Sequence, residues 1–215
     1  MKTTRALALL AALLLSALCP ALLHAQAAAE KLTANDLVER GLAKNEKGDL
    51  DGAIADYNRA LELDPKFIRA FGNRGEARRT KGDMDGAITD FSRIIELDPK
   101  VALTYLGRGM AKSGKGDFDG AINDFSRALE INPEYMLKAS VLRIEAKRQK
   151  GDLDEAMADV NRVIALDPKF SVAFAVRAYI KQDKGDLDGA IADSSRAIEL
   201  DPKDSATIYN RGHTK

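Results

Sequence analysis

Few side chains in this 215-residue sequence invite a chemical reading, and each fails on spacing. The run from Gly109 to Gly116 nearly spells a phosphate-binding loop, but Gly116 stands where a Ser or Thr must hold magnesium. No strand pattern precedes it, so nucleotide binding is not expected. Asp49-Leu50-Asp51-Gly52 has the opening of a calcium loop without its third acidic ligand or distal glutamate. His24 and His213 are the only histidines and Cys19 the only cysteine, so neither a histidine triad nor a zinc site can be assembled. The expectation is a protein with no cofactor, no metal and no catalytic centre. Lys+Arg and Asp+Glu both count 33, so no charge excess favours nucleic acid or an anionic membrane surface.

What does recur is a set of charged and small residues at fixed spacing. Lys-Gly-Asp-Leu-Asp and its near copies place glycines at 48, 82, 116, 151 and 185, each followed 17 residues later by a proline. The period is 34, 34, 35 and 34 residues, the length of one supersecondary unit that buries its apolar face only by stacking on its own copies. Within the third unit, Ala121, Ile122, Phe125, Ala128 and Leu129 fall at helical spacing and form one apolar stripe. The segment before them, through Thr104, Tyr105, Arg108 and Ala111, is also helical in pattern. Gly116 permits the left-handed turn between the two helices, Asp117 caps the second, and Pro133 ends it after pushing Asn132 out of helical geometry. The same parts predict caps at Asp49, Asp83, Asp152 and Asp186, and Thr33 with Asp36 has capping-box spacing ahead of the first helix.

These residues resemble the tetratricopeptide repeat. Gly75, Ala87, Phe91 and Pro99 in the second unit, and Gly109, Ala121, Phe125 and Pro133 in the third, match its small, small, aromatic and proline positions. The resemblance covers residues 34–202 as five units and implies an all-α, right-handed superhelical solenoid of antiparallel helix pairs. It also implies a concave groove, lined by the first helix of each pair, that binds a peptide or a partner helix. Carried over position by position, the groove residues are Arg69, Gly72, Glu76 and Arg79, then Leu103, Leu106, Met110 and Ser113, then Val172, Ala175, Tyr179 and Gln182. Charge thus gives way along the chain to an apolar surface bearing methionine and tyrosine, suited to a peptide or amphipathic helix. Leu106 and Val172 have the alternative of packing against neighbouring helices.

Departures from the family pattern carry their own expectations. Arginines 40, 74, 108, 143 and 177 stand where the family usually has leucine, and aspartates 56, 90, 124, 159 and 193 stand 16 residues beyond them. An Arg–Asp pair inside each unit is expected, as a structural device rather than a ladder for ligand carboxylates. The fourth unit has an extra residue, and bulky Arg143 or Ile144 where glycine belongs, which should spread its helices or bend the first. The aromatic position runs Tyr57, Phe91, Phe125, Val160, Ser194, so the last helix pair should be the least stable.

The N-terminus reads as an address. Lys2 and Arg5 precede an Ala/Leu run from Ala6 to Leu18, and Ala25-Gln26-Ala27 offers a cleavage site after Ala27 or, second, Ala25. At 13 residues the run is short against the ~20 that span a bilayer. Residues 1–27 are therefore expected to be a removable signal and 28–33 a linker, giving export to the periplasm or beyond without stable membrane insertion. Leu18 and Pro20 around Cys19 disfavour a lipid anchor. Residues 203–215 repeat the opening of a unit, as a partial sixth repeat or cap. The function expected is a protein- or peptide-binding scaffold of the cell envelope; the alternative is an array that self-associates through its C-terminal end.

Overall fold

The computed structural model describes residues 32–203 and Thr207, and within that span the secondary structure is entirely helical. Ten α-helices form five antiparallel pairs: α1 (Ala34–Glu46) with α2 (Leu50–Leu63), α3 (Ile68–Lys81) with α4 (Met84–Leu97), α5 (Ala102–Gly114) with α6 (Phe118–Ile131), α7 (Met136–Lys150) with α8 (Leu153–Leu166), and α9 (Ser171–Asp183) with α10 (Leu187–Leu200). Each pair packs on the next, giving the right-handed solenoid. The expected N-terminal signal and nearly all of the expected C-terminal partial repeat or cap lie outside the described residues.

The turn chemistry explains the boundaries. Gly48, Gly82, Gly116, Gly151 and Gly185 all have φ between +80° and +94°, a conformation that costs other residues a Cβ clash. Asp49, Asp83, Asp117 and Asp186 each accept a hydrogen bond from the backbone N–H three residues on, at Gly52, Gly86, Gly120 and Gly189. Thr33 and Asp36 form the reciprocal capping box on α1. Asp152 departs from expectation and makes no side-chain cap on α8. The cause is Glu155, which occupies the position of those four glycines. A Cβ on any of the glycines would lie 2.1–2.2 Å from the capping carboxylate, so Asp152 turns away to Lys150 Nζ at 2.9 Å.

Core packing follows the same pairwise logic. A Cβ at Gly41 would come within 2.5 Å of the Tyr57 ring, at Gly109 within 2.7 Å of Phe125, and at Gly75 within 3.1 Å of Phe91. In the fourth unit Ile144 takes the glycine position, and the partner position holds Val160 in place of an aromatic ring. Both are fully buried in one cluster with Ala156 and Ile180. Val160 only partly offsets the bulk of Ile144: α7 and α8 pack less closely than the helices of the other four pairs, as the expected spreading requires, whereas the fifth unit, with small Ala178 and Ser194 at these positions, keeps a close approach. The extra residue lengthens α7, which has 15 residues against 13 or 14 in the other first helices and follows a 3-10 turn at Pro133–Tyr135.

Candidate partner groove

The repeated arginines are structural first. Arg40, Arg74, Arg108 and Arg177 each grip their aspartate with two parallel hydrogen bonds, Nε to Oδ2 at 2.8–3.0 Å and Nη2 to Oδ1 at 2.5–2.7 Å. Each aspartate, 1–6% exposed, also meets a second cation that the sequence reading missed: Lys44, Arg78, Lys112, Lys147 or Lys181, one helical turn past the arginine. Hydrogen bonds from Arg40 hold the Asp56 carboxyl below its ordinary value against the opposing effect of burial, with Lys44 adding to them. Burial pushes Asp193 up, but Arg177 and Lys181 together bring it below its ordinary value.

The arginines also tie units together. The free Nη1 of Arg74 reaches Asn58 at 2.6 Å, that of Arg108 reaches Ser92 at 3.2 Å, and that of Arg177 reaches Asn161 at 2.9 Å, each on the second helix of the preceding unit. A second inter-unit tie lies in the recurring pentapeptide itself. Lys81, Lys115, Lys150 and Lys184 bridge to Asp51, Asp85, Asp119 and Asp154, the last aspartate of the motif one unit back. One short motif therefore supplies the turn, the cap and both halves of a link to its neighbours.

With the arginines committed to the scaffold, the open space for a ligand lies on the first helices. A cleft of about 520 Å³ runs across the second and third units. Ile68, Arg69, Gly72, Asn73 and Glu76 of α3 form one side, and Leu103, Thr104, Leu106, Gly107 and Met110 of α5 the other. Phe91 and Ile94 of α4 lie at its base, and Leu42 of α1 and Lys138 of α7 at its ends. Gly107 is needed here for space, since a Cβ would come within 2.8 Å of the Phe91 ring. Of the residues carried over from the family pattern, Arg69, Gly72, Glu76, Leu103, Leu106 and Met110 come together in this cleft. Leu103 stands 57% exposed on its wall, while Leu106, 2% exposed, is part of the floor and packs in the core with Tyr105, Phe125 and Ala139.

The rest of the set lies elsewhere. Arg79 turns outside the cleft and pairs with Glu76. Tyr179 and Gln182 line a separate shallow dent of about 10 Å³ with Ala175 and Ser194, and Arg148 stacks over the Tyr179 ring at 5.7 Å. Val172 is exposed on α9 and lines neither space. Asn73 and Lys138 were not among the sequence candidates. At the cleft rim Arg69 pairs with Glu39 at 2.6 Å and bonds Asn35 at 2.9 Å. Among the described residues no Lys138 ion pair is found, which leaves that cation available at the far end. No cluster of metal-ligating side chains occurs among the described residues, and none of their helices is long and apolar enough to cross a membrane.

Comparison with known proteins agrees with the geometry. Tetratricopeptide repeat models match residues 68–101, 102–135, 145–170 and 173–204, and a TPR repeat model matches residues 41–82. The matches skip residues 136–144, where the fourth unit carries its extra residue. No curated protein matches the sequence. Among solved structures, MamA is 26% identical with a TM-score of 0.67, over 77% of this chain and 96% of that one. YrrB, described as a TPR protein with an unusual peptide-binding site, is 21% identical with a TM-score of 0.65, over 85% of this chain and 94% of that one. TTC0263, a thermophilic TPR protein of Thermus thermophilus, is 21% identical with a TM-score of 0.65, over 85% and 98%. On its repeats, their matched models and its helical stack, the chain belongs to the tetratricopeptide repeat family.

Proposed function

We propose that this protein is a non-catalytic scaffold of the cell envelope that holds a segment of a partner protein in the cleft between α3 and α5. The observation that carries the reading is the cleft itself: an open apolar channel with Leu103 and Met110 on its wall and Arg69, Glu76 and Lys138 around it. Apolar surface of this kind is suited to anchoring side chains, and the charged rim to fixing orientation. The unusual peptide-binding site of YrrB is consistent with such use of the fold. Envelope location rests on the signal-like N-terminus, residues 1–27.

The test is recovery of a binding partner from envelope extract by the wild-type chain and by a Leu103→Asp, Met110→Asp double variant. Both side chains line the cleft, whereas Leu106 is a core residue whose change would confound binding with unfolding. A partner lost with the variant, at unchanged helicity, supports the reading; equal recovery removes it. Export is tested by sequencing the mature N-terminus, expected after Ala27 or Ala25.

A further inference from the structure

A second recess, of about 250 Å³, lies away from the cleft where the fourth unit meets the third. Its walls are Leu129, Pro133, Met136, Val163 and Leu166, and its polar side chains are Ser140, Arg143, Asp159 and Arg162. Arg143 is the one repeated arginine without the two-bond grip. Its Nη2 stands 3.4 Å from Asp159, its Nη1 makes a long 3.4 Å contact to Ser126, and its Nε is buried with no partner among the described residues. In the four sister units that Nε donates to the aspartate at 2.8–3.0 Å.

The cause can be traced through the sequence. Arg93, Arg127 and Arg196 in the second, third and fifth units pair with Glu96, Glu130 and Glu199, three residues on. Arg162 is their counterpart, but Ala165 stands where the glutamate belongs. Arg162 turns instead to Asp159 Oδ1 at 3.0 Å, and Lys147 holds Oδ2 at 3.0 Å. Asp159 is thereby drawn off Arg143. Three cations, Arg143, Arg162 and Lys147, now share Asp159 and Glu155, which Lys147 also contacts at 2.9 Å. The recess thus has a local excess of positive charge, an arginine edge whose Nε has no partner and whose Nη2 meets Asp159 only at 3.4 Å, and apolar walls, with Met136 and Leu166 exposed at its mouth.

We propose that this recess is a second binding site, for a carboxylate carried on a short aliphatic body. The Nε–Nη2 edge that the sister arginines give to aspartate is the donor pair a ligand carboxylate takes, in the planar geometry guanidinium favours. The volume exceeds the roughly 150 Å³ that holds a benzene in a dry protein cavity, so a chain of six to eight carbons is of fitting size. The test is calorimetric titration of the full chain with octanoate, octanol and octylammonium. Two further arms use a dipeptide ending in leucine, with its C-terminus free or amidated. Saturable binding of a carboxylate probe, weaker by about tenfold or more for its uncharged counterpart, is expected for a charge-assisted pair. The tighter of octanoate and the free-acid dipeptide identifies the source as a small acid or a chain terminus. Arg143→Met should abolish binding. Ala165→Glu, at a residue outside the recess lining, should do so by giving Arg162 its glutamate and returning Asp159 to Arg143. Leu103→Asp in the cleft should leave octanoate binding intact. No saturable binding, equal binding of octanol, or an unchanged affinity in Ala165→Glu overturns the proposal.

Discussion

The third and fourth units, side by side in the stack, solve the same packing problem differently. In the third, Gly109 makes room for the Phe125 ring, Gly120 makes room for the Asp117 cap, and Arg108 grips Asp124 with two bonds. In the fourth, Ile144 faces Val160, Glu155 evicts Asp152 from its cap, and Arg143 loses its grip on Asp159. Each change comes as a pair. The rules of this repeat therefore govern couplings between two helices more than residues taken singly, and a unit tolerates the loss of a signature residue when its partner moves with it.

The sharpest way to break the comparison is to remove the aspartates. Asp124→Ala strands Arg108 and Lys112 around a site that is 4% exposed and should cost about 3–5 kcal/mol by urea denaturation. Asp159→Ala, whose arginine is already loosely held, should cost clearly less; equal losses would show that the two-bond geometry contributes nothing. Next comes Gly109→Ile, which drives a side chain into the Phe125 ring and should cost roughly 3 kcal/mol. Adding Phe125→Val recreates the combination of the fourth unit, and a coupling of about 1–2 kcal/mol in the double-mutant cycle is expected. Strict additivity would refute the exchange of bulk between helices.

Smaller effects sharpen the picture. Asp117→Ala should cost about 1 kcal/mol through the lost cap, whereas Asp152→Ala should cost only the few tenths expected of its partly exposed pair with Lys150. Acid should act through Asp56 and Asp193, whose carboxyls are held below the ordinary 3.8 in the folded chain. A lowered folded value means that the stabilisation is fully present above the ordinary value and is lost as pH falls through the depressed one. Helicity followed by circular dichroism should therefore hold steady from neutrality to about pH 5 and decline below about pH 4. A decline that begins near pH 6 would point to other groups.

The helix pairs and four of the five caps were legible because they depend on local spacing: a glycine that permits positive φ, an aspartate three residues ahead of a free N–H, a proline that stops the helix. The Arg–Asp pairs were legible because the period repeats them with constant separation. The second cation on each aspartate was missed, although Lys44, Arg78, Lys112, Lys147 and Lys181 recur just as regularly. Being a mixture of Lys and Arg, they gave no single-letter signal. The groove was legible only as a helix face. Periodicity puts Leu103 and Leu106 on neighbouring positions, but it does not say that one stands open on a wall while the other is sealed beneath adjoining helices.

The sequence by itself determined the modular plan, since turns, caps and apolar stripes are short-range matters settled within about 20 residues of chain. Only the tertiary structure decided which members of the groove set share one cleft, and that Ala165 releases an arginine through Arg162 and Asp159. Both outcomes depend on distances between side chains on different helices, which the fold sets by bringing one unit against the next.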